Sequence, residues 1–166
     1  MNEYLHDRKI DAGISMSGFR LRARQGIEHP VPRMGPSTNQ RLLMQGKQDV
    51  ITFGQGDEQL IAFGLLTCAA VIICSSDPSA PPRAAVYHAP SGALSQAQIT
   101  DLVGSIGSPP AGSLLAAYVT PEPWDNSYTR DAGELVTFGI PTDQVTYLQR
   151  LPLNQFGINS AGLVGF

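Results

Sequence analysis

The sequence predicts an α+β domain with a layered, sandwich-like β core and two or more flanking helices. Short apolar or alternating runs outnumber amphipathic helical stretches from residue 48 onward. The helical stretches fall singly between these runs, and no repeat of fixed period appears. With 166 residues, 42% of them hydrophobic and 15% charged, the chain is long enough for one such domain and too short to expect two.

The first 47 residues differ from the rest in composition. Eight of the eleven Lys and Arg residues lie there, in a stretch rich in Gly, Ser, Pro and Gln with little apolar periodicity. We therefore predict a basic N-terminal arm at 1–47, poorly ordered or wrapping around the domain, and a single α+β domain at 48–166. A segment that docks on a protein partner or serves export is the alternative role for this arm.

The first elements of the domain are predicted to be a hairpin and two buried strands. An alternating run at 50–53, the turn-like Gly54–Asp57 and an apolar run at 60–65 are typical of two antiparallel strands joined by a tight turn. Ala69–Cys74 is a continuous apolar run of strand length, which predicts a strand buried on both faces. Ala84–His88 predicts the next strand, after a Pro-rich loop.

Helices are predicted at 95–106 and 127–138. Ser95 and Gln98 have the spacing of a capping box, and the apolar residues that follow recur at helical spacing until Gly107. Further strands are predicted at 113–120, 145–149 and 161–166.

Several common chemistries have no support in the sequence. There is a single histidine after residue 47 and no CxxC pair, so we expect no metal site. P-loop, GxGxxG and GxSxG patterns do not occur, which disfavours nucleotide binding and the common serine hydrolase arrangement. The net charge of -3 disfavours a dedicated nucleic-acid binder.

Location and redox state follow from two further observations. The start of the chain lacks the apolar region of a secretory signal, and no stretch approaches the length of a membrane span. We predict a protein made in the cytosol, with export as an effector, without a cleavable signal, as the alternative. Cys68 and Cys74 lie on one predicted strand about 20 Å apart, so we predict that both are reduced thiols.

Cys68 and His88 are the candidate catalytic residues. Cys68 stands at the start of one predicted buried strand and His88 at the end of the next. A thiol becomes a strong nucleophile when a neighbouring group takes its proton, and His88 is the only histidine after residue 47. The pattern predicts a thiolate nucleophile with an imidazole base. The structural alternative is a small core cysteine and a hydrogen-bonded histidine at a strand end.

The stretch from Gly64 to His88 resembles the CheD-type chemoreceptor glutamine deamidases. The run from Gly64 to Cys68 reads Gly-Leu-Leu-Thr-Cys where that family carries Gly-x-Gly-Ser-Cys, and His88 follows at an interval similar to that of the family's histidine. The order of the elements after His88 is also similar, so the resemblance covers residues 48–166. Members of that family share a fold with the deamidase domains of cytotoxic necrotizing factor toxins.

The resemblance implies a fold of this type and a protein glutamine deamidase that needs no cofactor. It implies that Cys68 is the nucleophile, that His88 is the general base, and that the backbone around Thr67 and Ala69 meets the oxyanion or the substrate. The implied partner is a target protein with a reactive glutamine, either a chemoreceptor or the target of a bacterial effector or toxin.

The sequence departs from the family pattern at three positions, one of which is Thr67, where the family has a serine. Leu66 stands where the family has a glycine, and Ala62 stands where it has a threonine that orients the histidine. Thr52, on the other strand of the predicted hairpin, is the candidate replacement because opposite residues of an antiparallel pair share a face. A backbone carbonyl is the alternative. An inactive binding module of the same fold, or another cysteine amidohydrolase or peptidase, are the alternative functions.

Overall fold

The computed structural model describes residues 37, 39–54, 56–90, 93–120, 126–148, 154–162 and 164–165. Within these residues the chain forms nine β-strands and two α-helices, and the strands make two sheets, so the predicted α+β class is confirmed. Most of the predicted arm lies outside the described residues.

The strands and helices have the following bounds. The strands are β1 Asn39–Leu43, β2 Gln48–Thr52, β3 Glu58–Phe63, β4 Ala69–Ser75, β5 Arg83–Ala89, β6 Leu114–Val119, β7 Val145–Leu148, β8 Gln155–Asn159 and β9 Val164–Gly165. The helices are α1 Gln96–Ser105 and α2 Asn126–Phe138, and short 3-10 turns at Ala111–Ser113 and Thr142–Gln144 lead into β6 and β7.

The strands are divided between a four-stranded and a five-stranded sheet. Sheet A has the order β1-β3-β8-β9, and sheet B has the order β2-β5-β4-β6-β7. Each sheet has one parallel pair, β1 with β3 and β6 with β7, and its other neighbours are antiparallel. The prediction of several separate strands is confirmed, but their partners come from distant parts of the chain.

The central strand β4 separates two hydrophobic cores. Ala70 and Ile72 pack between the sheets with Phe156 of sheet A. Val71, which alternates with them, packs on the opposite face with Leu102 of α1. Ala70, Val71 and Ile72 of β4 are all fully buried. The strand is therefore covered on both faces, as its continuous apolar run predicted. The domain therefore has three layers: sheet A, sheet B and the helices.

Both predicted helices are confirmed. The side chain of Ser95 accepts from the Gln98 N–H at 3.3 Å, and the Gln98 side chain accepts from the Ser95 N–H at 3.0 Å, which completes the capping box. Ile99 and Leu102 are fully buried against sheet B. Gly107 has a φ of 93°, a left-handed conformation that ends the helix and favours glycine.

The predicted hairpin between residues 50–53 and 60–65 is wrong. The strand β2 pairs with β5 in sheet B, whereas β3 pairs with β1 and β8 in sheet A, so the segment between β2 and β3 crosses from one sheet to the other. A Gly-rich turn is compatible with either connection. The choice depends on which sheet buries each apolar face, and that information lies in distant strands.

Three strands differ from prediction. β1 lies inside the predicted arm, yet it pairs with β3, and its Arg41 donates to the Val50 carbonyl of sheet B at 2.9 Å. The domain therefore begins before residue 48. β8 was not predicted because Gly157 interrupts a short run with polar ends. Of the predicted strand at 161–166, the described residues form a strand at Val164–Gly165.

Neither helix of the described part combines the length and the apolar character needed to cross a bilayer.

Candidate active site

Cys68 closes a short loop that leads into β4. The loop begins at Gly64, whose φ of 72° lies in the left-handed region that favours glycine. Leu65 anchors it, because its side chain is fully buried between the sheets and its N–H donates to the Asn154 carbonyl at 2.8 Å. Cys68 is 6% exposed and belongs to the same inter-sheet core. The loop thus holds the thiol just below the surface at the start of β4.

His88 enters the same layer from the neighbouring strand. It lies directly opposite Ala70, and Cys68 is two residues before Ala70. Cys68 and His88 are therefore diagonal neighbours, a position with backbones about 7–8 Å apart that long and aromatic side chains can span. Ala84 and Val86, which alternate with His88 along β5, pack in the inter-sheet core. The imidazole and the thiol consequently face the same layer.

The His88 ring is fixed in one tautomer. Its Nδ1 lies 2.9 Å from the carbonyl oxygen of Leu43. A carbonyl only accepts hydrogen bonds, so Nδ1 carries the proton, and in the neutral ring Nε2 carries a lone pair. Nε2 is buried and has no hydrogen-bond partner among the described residues. An unpaired buried polar atom costs about 1–3 kcal/mol of stability. Such atoms are therefore uncommon in folded proteins, and each one calls for an explanation such as a functional role.

The segment that follows β1 also holds the backbone of His88. The His88 N–H donates to the Lys47 carbonyl at 3.0 Å, and the His88 carbonyl accepts from the Gly46 N–H at 2.9 Å. Together with the Leu43 carbonyl, these contacts make the end of the predicted arm part of the site. Sequence reasoning missed Leu43 because a main-chain carbonyl has no side-chain signal. The adjacent apolar residues Leu42 and Leu43 were the available sign of a strand there.

Thr52 does not lie beside the His88 ring. Thr52 is paired with Arg83, at the end of β5 opposite to His88. Lys47, whose carbonyl accepts from the His88 N–H, is five residues before Thr52, which is about 17 Å along the strand. The proposed role of Thr52 as the orienting residue depended on the hairpin that the structure does not form. Nδ1 of His88 is bonded to the Leu43 carbonyl instead, which agrees with the alternative that a backbone carbonyl orients the ring.

Ala62 lies where the orienting threonine was expected to act. It is fully buried in the inter-sheet core, and its partner in the parallel β1–β3 pairing is Leu43. The alanine at this position therefore adjoins the residue whose carbonyl holds the imidazole. The absence of a hydroxyl at Ala62 does not leave Nδ1 without a partner.

The residues flanking the thiol differ in their exposure. Leu66 is 65% exposed, and Thr67 is also exposed. Among the described non-glycine residues only Ser108 has a positive φ, so Leu66 replaces the family's glycine without backbone strain. Ala69 is fully buried, and its side chain packs on the helix side of sheet B. Thr67 thus lies at the surface beside the thiol, whereas the side chain of Ala69 faces away from it.

Sequence reasoning missed a buried polar cluster on the helix side of sheet B. Asp131 of α2 is fully buried, and its carboxylate accepts from the Tyr118 hydroxyl at 2.7 Å and from the Leu94 N–H at 3.0 Å. Tyr128 precedes Asp131 by three residues and donates from its hydroxyl to the Thr67 carbonyl at 3.0 Å. Residues three apart share a helix face, so this spacing was the signal that could have identified the cluster.

Tyr87 lies next to this cluster on β5. Its hydroxyl oxygen accepts from the Gln98 side chain at 2.6 Å. Burial is the main factor that raises the pKa of Tyr87, and the Asp131 charge raises it further; the Gln98 hydrogen bond lowers it, and Cys68 raises it slightly. Tyr87 therefore keeps its proton to higher pH than an exposed tyrosine.

Cys68 and Cys74 are both buried, and neither is part of a disulfide. In the part of the chain that the structure describes, no three His, Cys, Asp or Glu residues converge as metal ligands would.

No model of a known protein family matches this chain, and a search of curated proteins finds no match either. The functional assignment therefore depends on the geometry of the site and on the residues from Gly64 to His88.

Proposed function

We propose that this protein is a cysteine-dependent protein glutamine deamidase, with Cys68 as nucleophile and His88 as general base. The observation that supports it most is the state of His88, whose Nδ1–H is donated to the Leu43 carbonyl while its buried Nε2 has no partner among the described residues. Such a ring can accept one proton at one defined atom. We assign Cys68 as the proton donor, because it lies diagonally from His88 in the strand pairing and belongs to the same layer.

The reaction follows from these two groups. Nε2 of His88 accepts the proton of the Cys68 thiol, and the thiolate adds to the Cδ carbon of the glutamine side chain. The protonated imidazole returns its proton to the departing nitrogen, so ammonia leaves and a thioester remains. Water then gives a proton to His88 and attacks the thioester, which releases glutamate and restores the thiol. The Leu43 carbonyl stabilises the imidazolium that forms in each half of the cycle.

A side-chain amide suits the narrow access to the thiol better than a peptide bond does. Cys68 is 6% exposed, below the exposed residues Leu66 and Thr67. A glutamine side chain is unbranched and carries its carboxamide at its tip, so it reaches a recessed thiol without bringing its backbone along. A peptidase must instead admit the main chain on both sides of the scissile bond. This difference favours deamidation over peptide hydrolysis.

The direct test is ammonia release from a library of glutamine-containing peptides and proteins, with mass spectrometry to locate each new glutamate. We expect Cys68→Ser and His88→Ala to lower the rate by about 100-fold or more, since each removes a group that takes part in bond making or proton transfer. Cys74→Ser is the matched control, because Cys74 is the other buried thiol, lies further along on β4, and should leave the rate unchanged when replaced. Equal rates for wild type and Cys68→Ser would refute the proposal.

Thiol labelling separates an enzyme from an inactive binding module. Iodoacetamide at pH 6 should label Cys68 much faster than Cys74, and His88→Ala should remove that difference. If Cys68 and Cys74 react at the same slow rate, His88 does not activate the thiol and the binding module is favoured.

A further inference from the structure

The carbonyl group that precedes the nucleophile is held by a buried tyrosine. Thr67 is exposed at the surface. Its carbonyl oxygen accepts from the hydroxyl of Tyr128, a residue of α2 that is 2% exposed, at a distance of 3.0 Å. The helix layer therefore makes a direct hydrogen bond to the loop that carries the thiol.

That hydrogen bond controls the direction of a second backbone group. The Thr67 carbonyl and the Cys68 N–H belong to one peptide unit, which is planar and trans, so the two groups point in opposite directions. Fixing the carbonyl toward Tyr128 fixes the N–H of Cys68 away from α2. The backbone N–H of the nucleophile itself is a common oxyanion donor in acyl transfer, and its direction determines how well it meets the developing charge.

Tyr128 is itself held by the buried cluster. Its ring packs edge-on against Tyr118, with ring centroids 6.3 Å apart and planes at 63°. Tyr118 donates to Asp131, and Asp131 also accepts from the Leu94 N–H just before α1. The position of the Tyr128 hydroxyl is thus set by sheet B and by both helices. A water molecule at the Thr67 carbonyl would have no such constraint.

We propose that Tyr128 is a positioning residue that orients the Thr67–Cys68 peptide group, so that the Cys68 N–H meets the oxyanion formed during acyl transfer. The role rests on the proposed function, because it needs Cys68 to be a nucleophile. It predicts that loss of the Tyr128 hydroxyl slows reactions of Cys68 that pass through an oxyanion and spares reactions that do not.

Two thiol probes test this distinction in the full chain and in Tyr128→Phe. In alkylation by iodoacetamide the Cys68 thiolate forms a carbon–sulfur bond as iodide leaves, and no oxyanion forms. With p-nitrophenyl acetate the thiolate adds to the ester carbonyl, the oxyanion collapses as p-nitrophenolate leaves, and an acetyl thioester remains on Cys68. A misdirected donor should cost about 10- to 100-fold in acylation, somewhat less than removal of a whole donor. Alkylation should stay within about twofold of wild type.

Tyr118→Phe is the matched control. It removes a buried hydroxyl of the same cluster, but this hydroxyl donates to Asp131 rather than to Thr67. Selective loss of acylation in Tyr128→Phe, absent in Tyr118→Phe, supports the positioning role. Equal loss of both reactions in Tyr128→Phe, no loss of either, or the same selective loss in Tyr118→Phe overturns it. If Tyr128→Phe shows the selective loss of acylation but the wild-type protein deamidates no glutamine peptide, the positioning role stands and the proposed substrate is wrong.

Discussion

Gly157→Ala should weaken the contact between the two central strands of sheet A. Gly157 of β8 lies opposite Ile61 of β3. A Cβ atom at Gly157 would lie 2.1 Å from the Leu60 carbonyl oxygen and 2.7 Å from the Ile61 Cα, whereas real Cβ contacts under 3.0 Å essentially never occur. Relieving the shorter contact needs a shift from 2.1 to at least 3.0 Å, so the two strands must separate locally by about 0.9 Å.

The energetic consequence follows from the hydrogen bonds between these strands. A separation of this size stretches an N–H···O distance from about 2.9 Å to about 3.8 Å, beyond bonding range. Each buried backbone group left unpaired costs about 1–3 kcal/mol, and one displaced residue affects about two such groups. We expect Gly157→Ala to lower the free energy of unfolding by about 3–5 kcal/mol, a large share of the total for a typical domain.

Urea unfolding followed by far-UV circular dichroism measures this loss. Gly112→Ala is the control, because a Cβ at Gly112 would have no heavy atom within 4 Å. It should change the free energy of unfolding by less than about 1 kcal/mol. A loss below about 1 kcal/mol for Gly157→Ala would show that β3 and β8 do not pair in the register described. The position of β1 with Leu43, which pairs with β3, would then be wrong as well.

Three further predictions concern stability. Gly133 lies exposed on α2 with open space at its Cβ position, so Gly133→Ala should raise the free energy of unfolding by about 0.5–1 kcal/mol in thermal unfolding; a lower melting temperature would contradict this. Burial first, and then Asp131, raise the pKa of Tyr87 above the usual tyrosine value of 10.0. The stability that Tyr87 gains from keeping its proton is therefore complete below pH 10 and is lost as the pH rises through the higher folded-state pKa. The free energy of unfolding in urea should fall more steeply above pH 10 in wild type than in Tyr87→Phe, and equal slopes would refute this. Leu66→Gly should cost no more than about 1 kcal/mol in the same assay, because the Leu66 side chain is 65% exposed; a larger loss would mean that Leu66 packs against the domain.

The parts of the fold that local pattern specifies were predictable. The run of apolar residues in β4 and the capping box at Ser95 each determine an element within one short window, and both appear at the predicted positions. Strand partners were not predictable in the same way. β2 and β3 each have one face that needs burial, and nothing in the turn between them specifies whether they pair with each other or enter different sheets.

Some residues of the candidate site were likewise predictable from the sequence, and others were not. Cys68 and His88 were identifiable as candidates because a thiol and an imidazole are chemically reactive side chains, and the pairing of Ala70 with His88 brings them to one layer. Leu43 was not identifiable, because it contributes a carbonyl that every residue possesses. Tyr128 was missed because its hydroxyl bonds a backbone group that is 61 residues away in the chain. Contacts of this kind depend on the completed packing of α2 on sheet B.

The bond from the Leu43 carbonyl to His88 also has an evolutionary consequence. When a main-chain atom orients a catalytic base, mutation of the side chain at that position leaves the orienting atom in place, and selection acts there only through packing. Under the proposed function, Ala62, beside Leu43 in the pairing of β1 with β3, needs no hydroxyl for His88 to be oriented. Proteins with such a backbone contact could then vary at this side chain and keep the orientation of the base. Searches that require a polar side chain at that position would overlook such proteins.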